Sequence, residues 1–321
     1  MRQRSEWWSG LVVGAAAVLA ACGGGDGRDA AAGADTAAAA ADSAPAAAIA
    51  LTVDRLEAPE AARFDPELEV YFVANIKGSP LEKDGDGYIS RLTRDGKVDS
   101  LKFIAGGRGG VTLHAPKGMA ITGDTLWVAD IDAARAFDKR TGKPLATVSL
   151  SGRAKFLNDA VVGPDGAIYM TDTGVADDGK GGMGHPGPDR VFRIENRKAT
   201  VALEFADKPG PNGITWDSAA SKFLIVSFQG TSIFQWAPGD SAPTVLTDGP
   251  GMMDGIEPLG NGRFVISTWT DSSLIVLEGD RITRLIGGLP DPADLGFDAE
   301  RGRVAVPLLT ENRLEFVDLR R

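Results

Sequence analysis

The segment VYFVANI at residues 70–76 is the clearest indication of the fold, because variants of it recur along the chain. Each copy is rich in β-branched and aromatic residues, as β-strands are. The other five copies are TLWVADI at 125–131, AIYMTDT at 167–173, FLIVSFQ at 223–229, RFVISTW at 263–269 and RVAVPLL at 303–309. Repetition at this spacing indicates a fold built from copies of one supersecondary unit.

Further strand-like segments follow each copy, such as GYISRL at 87–92 and VDSLKFI at 98–104. The unit is therefore about four strands in roughly 40 to 57 residues, which is the size of a propeller blade. No segment of comparable length in this region has a helical period. The sequence predicts an all-β fold, a six-bladed β-propeller.

The sixth unit ends soon after LEFVDL at 314–319 and lacks an outer strand. The segment ALTVDRL at 50–56 precedes the first unit and has no blade of its own. We predict that this N-terminal strand pairs with blade six and closes the ring, which removes an exposed sheet edge.

The innermost strand of each blade begins just before the repeated stretch, and one position of that strand is predicted to face the channel mouth in every blade. The six residues at this position are Glu60, Lys117, Asn158, Asn212, Asp254 and Ala293. Four of them are oxygen donors, which suits Ca²⁺ or another oxygen-liganded divalent metal, and none is His or Cys. Asn and Asp also begin strands simply because they form turns. Four donors in register favour metal ligands: Glu60, Asn158, Asn212 and Asp254.

The N-terminus predicts a lipoprotein. Arg2 and Arg4 precede a short apolar run at 11–20, which is too short to span a bilayer, so residues 1–21 are predicted to be a signal peptide. The run ends in LAAC, which resembles a lipobox, with Cys22 as the lipidated residue. An ordinary signal peptide with an incidental cysteine is the alternative.

Residues 22–49 are mostly Ala, Gly, Asp and Ser and are predicted to be a tether, with the propeller at 50–321. Gly23 stands where many inner-membrane lipoproteins carry Asp, which indicates an outer-membrane lipoprotein in the cell envelope. The formal net charge of −10 argues against nucleic acid as a partner and suits cation binding.

With these motifs the chain resembles the gluconolactonase, regucalcin and senescence-marker family of calcium-dependent six-bladed propellers. The matching motifs are Glu60 before Phe-Asp-Pro, Asn158-Asp159, Pro211-Asn212-Gly213 and Asp254-Gly255. The resemblance implies that Glu60, Asn212 and Asp254 bind the metal and that Asn158 serves metal or substrate. It implies Asp254 as general base and metal-assisted hydrolysis of a lactone or ester.

Three residues add to or depart from that pattern. Phe156 stands where the sugar-lactone enzymes of the family read Arg-x-Asn-Asp. Lys117 is expected to bind an anionic substrate, or to pair with Asp159 or Asp294 and close the site. Asp159 is expected to orient the attacking water, or else to cap a turn.

His114 is expected near the mouth as a substrate-binding residue, since related paraoxonase-type propellers use a His base. The glycine-rich loop at 179–187 is expected to cover the channel. Two functions are consistent with these features: a calcium-dependent lactone or ester hydrolase anchored in the envelope, and a non-catalytic propeller that binds a peptide, glycan or small ligand around a structural metal.

Overall fold

The computed structural model describes residues 47–319, so the predicted signal peptide, Cys22 and most of the predicted tether lie outside the described residues. The strands form six four-stranded antiparallel sheets, one for each repeat, and a two-stranded hairpin. The predicted six-bladed β-propeller is confirmed. Within the described range, no helix is long and apolar enough to cross a membrane.

Strand β1 (Ala47–Val53) precedes the first blade. Blade one contains β2 (Pro59–Asp65), β3 (Val70–Asn75), β4 (Tyr88–Thr93) and β5 (Val98–Ala105). Blade two contains β6 (Pro116–Thr122), β7 (Thr125–Asp130), β8 (Ala133–Asp138) and β9 (Pro144–Ser149). Blade three contains β10 (Leu157–Val162), β11 (Ile168–Asp172), β14 (Arg190–Glu195) and β15 (Lys198–Glu204), with the hairpin β12 (Ala176–Asp177) and β13 (Met183–Gly184) inserted.

The second half of the ring repeats this order. Blade four contains β16 (Pro211–Asp217), β17 (Lys222–Ser227), β18 (Ser232–Trp236) and β19 (Thr244–Asp248). Blade five contains β20 (Met253–Gly260), β21 (Arg263–Thr268), β22 (Ser273–Glu278) and β23 (Arg281–Gly287). Blade six contains β24 (Gly296–Asp298), β25 (Arg303–Leu308) and β26 (Arg313–Leu319).

Strand β1 completes blade six, as predicted. It pairs antiparallel with β26 from Ala47 opposite Leu319 to Val53 opposite Leu314. The strand begins at Ala47, which is also the first described residue. Because one blade combines the two ends of the described chain, the ring cannot open without breaking this strand pair.

The hydrophobic core lies between neighbouring blades. The interface of blades six and one, for example, buries Val53, Tyr71 and Phe316. Tyr71 and Phe316 meet edge to face, with ring centroids 5.0 Å apart. This sheet-on-sheet packing fixes the inner strands around the channel.

Buried carboxylates at the ends of the second strands hold the loops that lead into the inner strands. Asp130 accepts hydrogen bonds from the backbone N–H groups of His114 (3.0 Å) and Ala115 (2.9 Å). Asp172 accepts hydrogen bonds from the N–H groups of Phe156 (2.8 Å) and Gly174 (3.2 Å). The Asp of the repeated stretch therefore positions the chain at the mouth of the channel.

Candidate metal centre

Five inner strands share one irregularity at the mouth of the channel. In β2, β6, β10, β16 and β20 the register shifts by one residue just after the first residue, which is a β-bulge. A bulge re-aims the side chains beside it. The predicted ring residues follow the first strand residue in all five blades. Their side chains therefore lie at the bulge, where side chains do not alternate regularly between the two faces of the sheet.

The bulges bring neighbouring inner strands into close contact. Gly213 and Gly255 follow two of the ring residues, and a Cβ atom at either would overlap the backbone of the next blade. Gly213 packs against the backbone oxygen of Asp254, and Gly255 packs against Asp294. Glycine after Asn212 and Asp254 is thus required by the narrowness of the ring.

All four predicted metal ligands line one cavity. Glu60, Asn158, Asn212 and Asp254 contribute to its wall, and each is buried, with 3 to 5 % of its surface exposed. The cavity has a volume of about 30 Å³, which is room for two or three water-sized groups. Four blades therefore direct their oxygen donors at one small space.

Three of these side chains have a buried oxygen atom without a hydrogen-bond partner in residues 47–319: Glu60 Oε2, Asn212 Oδ1 and Asp254 Oδ1. The Asp254 carboxylate as a whole also interacts with the side chains of Trp269 and Asn212. Buried polar atoms are nearly always paired, so three unpaired acceptors around one cavity require an explanation. A hard divalent cation provides one, because Ca²⁺ takes carboxylate and amide oxygens. Asn158 is oriented by a 3.0 Å hydrogen bond from its Nδ2 to Thr173 Oγ1.

The electrostatics of the cavity also favour a cation. Burial, and then the negative charge of Asp254, raise the pKa of Glu60 well above its usual value. Burial, and then the charge of Asp159, do the same for Asp254. The two ionised carboxylates are therefore costly in the absence of a compensating charge.

Lys117 does not supply that charge by direct contact. It is fully buried, and its ammonium donates to the backbone oxygen of Ala115 (3.0 Å) and lies 4.1 Å from the centroid of the Phe156 ring. Burial lowers its pKa to about 8. Of the two alternatives for Lys117, the pairing with Asp159 or Asp294 is absent from the described ion pairs, and the residue does not line the cavity.

His114 and Asp159 also lie away from the cavity wall. His114 borders the loop before β6, and its backbone N–H is held by Asp130. The Asp159 carboxylate accepts hydrogen bonds from the N–H groups of Ala160 (2.6 Å) and Ile214 (2.8 Å). Asp159 thus ties β10 to β16, and its water-orienting role stays a prediction.

A buried ionic cluster deeper in the channel was missed by the sequence analysis. Arg63 pairs with Glu257, and its guanidinium lies 3.8 Å from Asp159 Oδ1 and 3.7 Å from Asp294 Oδ2. Arg63 and Glu257 each follow a ring residue by three positions, at Glu60 and Asp254. The same alignment that located the ring could have found this pair, had that later position been read as well.

The hairpin β12–β13 overlaps the glycine-rich loop at 179–187 and reaches the cavity wall, and its covering of the channel stays a prediction. Met183 of this hairpin lines the cavity together with Gln229. His185 anchors the hairpin: its Nε2 lies 2.5 Å from Asp189 Oδ1, and its Nδ1 contacts Gln229 Oε1. Burial alone would lower the pKa of His185, but the hydrogen bond and charge of Asp189 outweigh it and raise the pKa.

Comparison with solved structures supports the fold. The chain is similar to a protein assigned as a gluconolactonase, with a TM-score of 0.62, 15 % identity, and coverage of 85 % of this chain and 91 % of the other. The chain shares the fold of that protein and is itself a six-bladed β-propeller. A luciferin-regenerating enzyme matches with a TM-score of 0.61 and 12 % identity over 84 % of this chain and 95 % of that enzyme.

A chain of a nidogen/laminin complex also matches, with a TM-score of 0.52 and 18 % identity over 69 % of this chain and 76 % of the other. No family model matches the sequence. No curated protein matches it either. The resemblance to gluconolactonases is confirmed at the level of the fold, and at such identities the fold alone is shared.

Proposed function

We propose that the protein is a divalent-metal-dependent hydrolase of lactones or related esters, with Ca²⁺ as the metal. The observation that carries this proposal is the set of three buried, unpaired oxygen atoms on Glu60, Asn212 and Asp254. Asn158 is the fourth group that would hold the cation. A divalent cation bound there would polarise a substrate carbonyl and lower the pKa of a bound water.

Asp254 is the proposed general base. Its carboxylate lies in the cavity wall, where it would remove a proton from the water that attacks the carbonyl carbon. The acyl–oxygen bond breaks, and the proton returns to the departing alkoxide to give a hydroxy acid or an acid and an alcohol. Asn158 is fixed by Thr173 in a position to orient the substrate carbonyl.

The gluconolactonase and luciferin-regenerating enzyme among the similar structures support an enzymatic role for this propeller. The position of Lys117 supports it as well. Its ammonium lies on the Phe156 ring and forms no described ion pair with the ring carboxylates, so Lys117 does not close the site.

The second candidate is a binding propeller with a structural metal, and the small cavity favours it. A volume of about 30 Å³ holds a cation and a water but not a lactone ring. The nidogen/laminin match is consistent with a binding role for this fold.

A panel of lactones and aryl esters, assayed with the full chain with and without chelator, separates the two candidates. The hydrolase is expected to turn over at least one class, and the chelator is expected to remove more than 90 % of the rate. Metal binding without turnover of any panel member would favour the structural metal. Chelator-resistant turnover would contradict the metal's role.

We further propose that Cys22 carries a lipid anchor that attaches the propeller to the cell envelope. The lipobox-like LAAC motif supports this proposal. Cells that express the chain should incorporate labelled fatty acid into the wild type and not into Cys22→Ser. Equal labelling of both would contradict it.

A further inference from the structure

The wall of the cavity is mostly hydrocarbon. Beside the four proposed ligands, six apolar side chains line it: Phe156, Val175, Met183, Phe228, Trp269 and Leu309. Phe228, Trp269 and Leu309 each follow the second strand of their blade directly, so three consecutive blades supply one collar of apolar residues. The rings of Phe228 and Trp269 pack edge to face, 5.2 Å apart.

The other two polar residues of the wall, Thr173 and Gln229, form hydrogen bonds with neighbouring protein groups. The Thr173 hydroxyl donates to the backbone oxygen of Pro211 (2.9 Å) and accepts from Asn158. Gln229 contacts His185 through its amide oxygen. Gln229 adds its amide NH₂ to the wall, and the Trp269 side chain hydrogen-bonds to Asp254. Among the described residues, no Arg, Lys or His side chain lines the cavity.

Phe156 lies against a buried cation near the cavity, Lys117. The ammonium of Lys117 lies 4.1 Å from the centroid of the Phe156 ring and is fully buried. The loop that carries Phe156 is fixed by Asp172, which accepts a hydrogen bond from the Phe156 N–H. The Lys117 ammonium thus lies against the Phe156 ring and does not line the cavity, where it could have bound substrate hydroxyl or carboxylate groups.

From this wall we infer that the substrate is a lactone or ester with hydrocarbon flanks, an alkyl or aryl compound, and not a sugar lactone. The inference rests on the proposed function and narrows its substrate class. A polyhydroxylated ring would bury its hydroxyl groups against carbon without partners, which is unfavourable. An alkyl chain instead gains roughly fourfold in affinity for each CH₂ group removed from water.

Entry of such a substrate requires the hairpin β12–β13 to move. The cavity of about 30 Å³ admits only two or three water-sized groups. Val175 and Met183 belong to or flank this hairpin, whose strands have two residues each. Because these strands are so short, substrate is expected to displace the hairpin and to pack against Met183.

The first test compares δ-lactones with alkyl tails of increasing length and glucono-δ-lactone, using the metal-loaded full chain. We expect kcat/KM to rise roughly fourfold per CH₂ over the first few carbons and to exceed that of glucono-δ-lactone at least 100-fold. Equal or faster hydrolysis of glucono-δ-lactone would overturn the inference.

Binding of inert analogues separates this inference from the proposed function. Alkyl δ-lactams and gluconolactam, titrated calorimetrically into the metal-loaded chain, report the preference of the cavity without chemistry. Tight binding of alkyl lactams without hydrolysis of any lactone would contradict the proposed hydrolase function and support the apolar preference of the cavity. Preference for gluconolactam would overturn the apolar cavity whatever the activity.

Two variants test whether the apolar wall causes the preference for alkyl lactones. Met183→Ser and Phe228→Ser should each lower kcat/KM for the alkyl lactone about 10- to 100-fold more than kcat/KM for glucono-δ-lactone, with calcium affinity retained. Met183→Leu should retain the wild-type preference, and Val245→Ser, at an exposed site on an outer strand, is the matched control. A parallel loss for both lactones in Met183→Ser would contradict a selective wall.

Discussion

The carboxylates of Glu60 and Asp254 belong to different blades, and the charge of Asp254 raises the pKa of Glu60 across the cavity between them. Burial adds to this rise and is its larger cause. The metal-free ring therefore contains two like charges that the fold brings together at a cost in stability. A cation that binds both removes that cost, which links metal binding to folding.

Glu60→Gln should stabilise the metal-free protein and abolish its response to calcium. Because the folded-state pKa of Glu60 is raised, its ionised form at pH 7 lowers the free energy of unfolding, and Gln carries no charge. Wild type should gain about 2.7 kcal/mol at calcium concentrations 100-fold above Kd. Urea unfolding in chelator and in calcium measures both effects. A variant that is less stable without metal and still responds to calcium would contradict this account.

Arg63→Met should destabilise the fold by about 3 to 5 kcal/mol, since it leaves the buried carboxylates of Glu257, Asp159 and Asp294 without their cation. Chemical denaturation measures the loss. Arg301→Met is the matched control, because its pair with Asp95 is exposed and should be worth less than about 1 kcal/mol. Similar losses in both variants would contradict a buried ionic cluster.

The stability of the metal-free protein should fall as the pH rises from about 4.5 to about 7, in part through Glu257. Burial raises the pKa of Glu257 to about 7, although Arg63 opposes the rise. The folded state therefore binds more protons than the unfolded state in this window, so stability decreases with pH. Glu257→Gln should make the pH profile less steep. Parallel profiles from urea unfolding in chelator would disprove the shift.

The hairpin β12–β13 should loosen when His185 loses its proton. Since the folded-state pKa of His185 is raised, its contribution is fully present below about pH 6.5 and disappears as the pH rises through the higher folded-state value. Asp189 favours the proton, and Lys208 opposes it. Hydrogen exchange at residues 176–184, corrected for intrinsic rates, should show this pH dependence in wild type and not in His185→Asn. Identical profiles would contradict the anchoring role.

The repeated stretch and the strand-start alignment predicted the blades, the closing strand and the residues around the cavity, because each repeats at one position of the blade. The direction of the Asp159 side chain could not be predicted from the repeat. A strand residue next to Asn158 is expected to point elsewhere, but the bulge that sets the actual directions depends on the pairing of β10 with β11.

Lys117 shows a second limit of the sequence. Lys117 follows the first residue of β6, as the other ring residues do in their strands, but it does not line the cavity. Where its long side chain ends depends on the Phe156 ring and the backbone oxygen of Ala115, which come together only in the folded loops between blades. Contacts between side chains of different blades are set by packing and do not follow from the period of the repeat.

Calorimetric titration of Ca²⁺ into the full chain is the most direct test of the metal centre, with Asp254→Ala and Asn212→Ala beside wild type and Asp240→Ala as an exposed control. One site is expected in wild type and in the control, and a loss of affinity of at least about 100-fold is expected in the two cavity variants, because each lacks a metal ligand. Equal binding by all four proteins, or binding by none, would contradict a metal centre at the channel mouth.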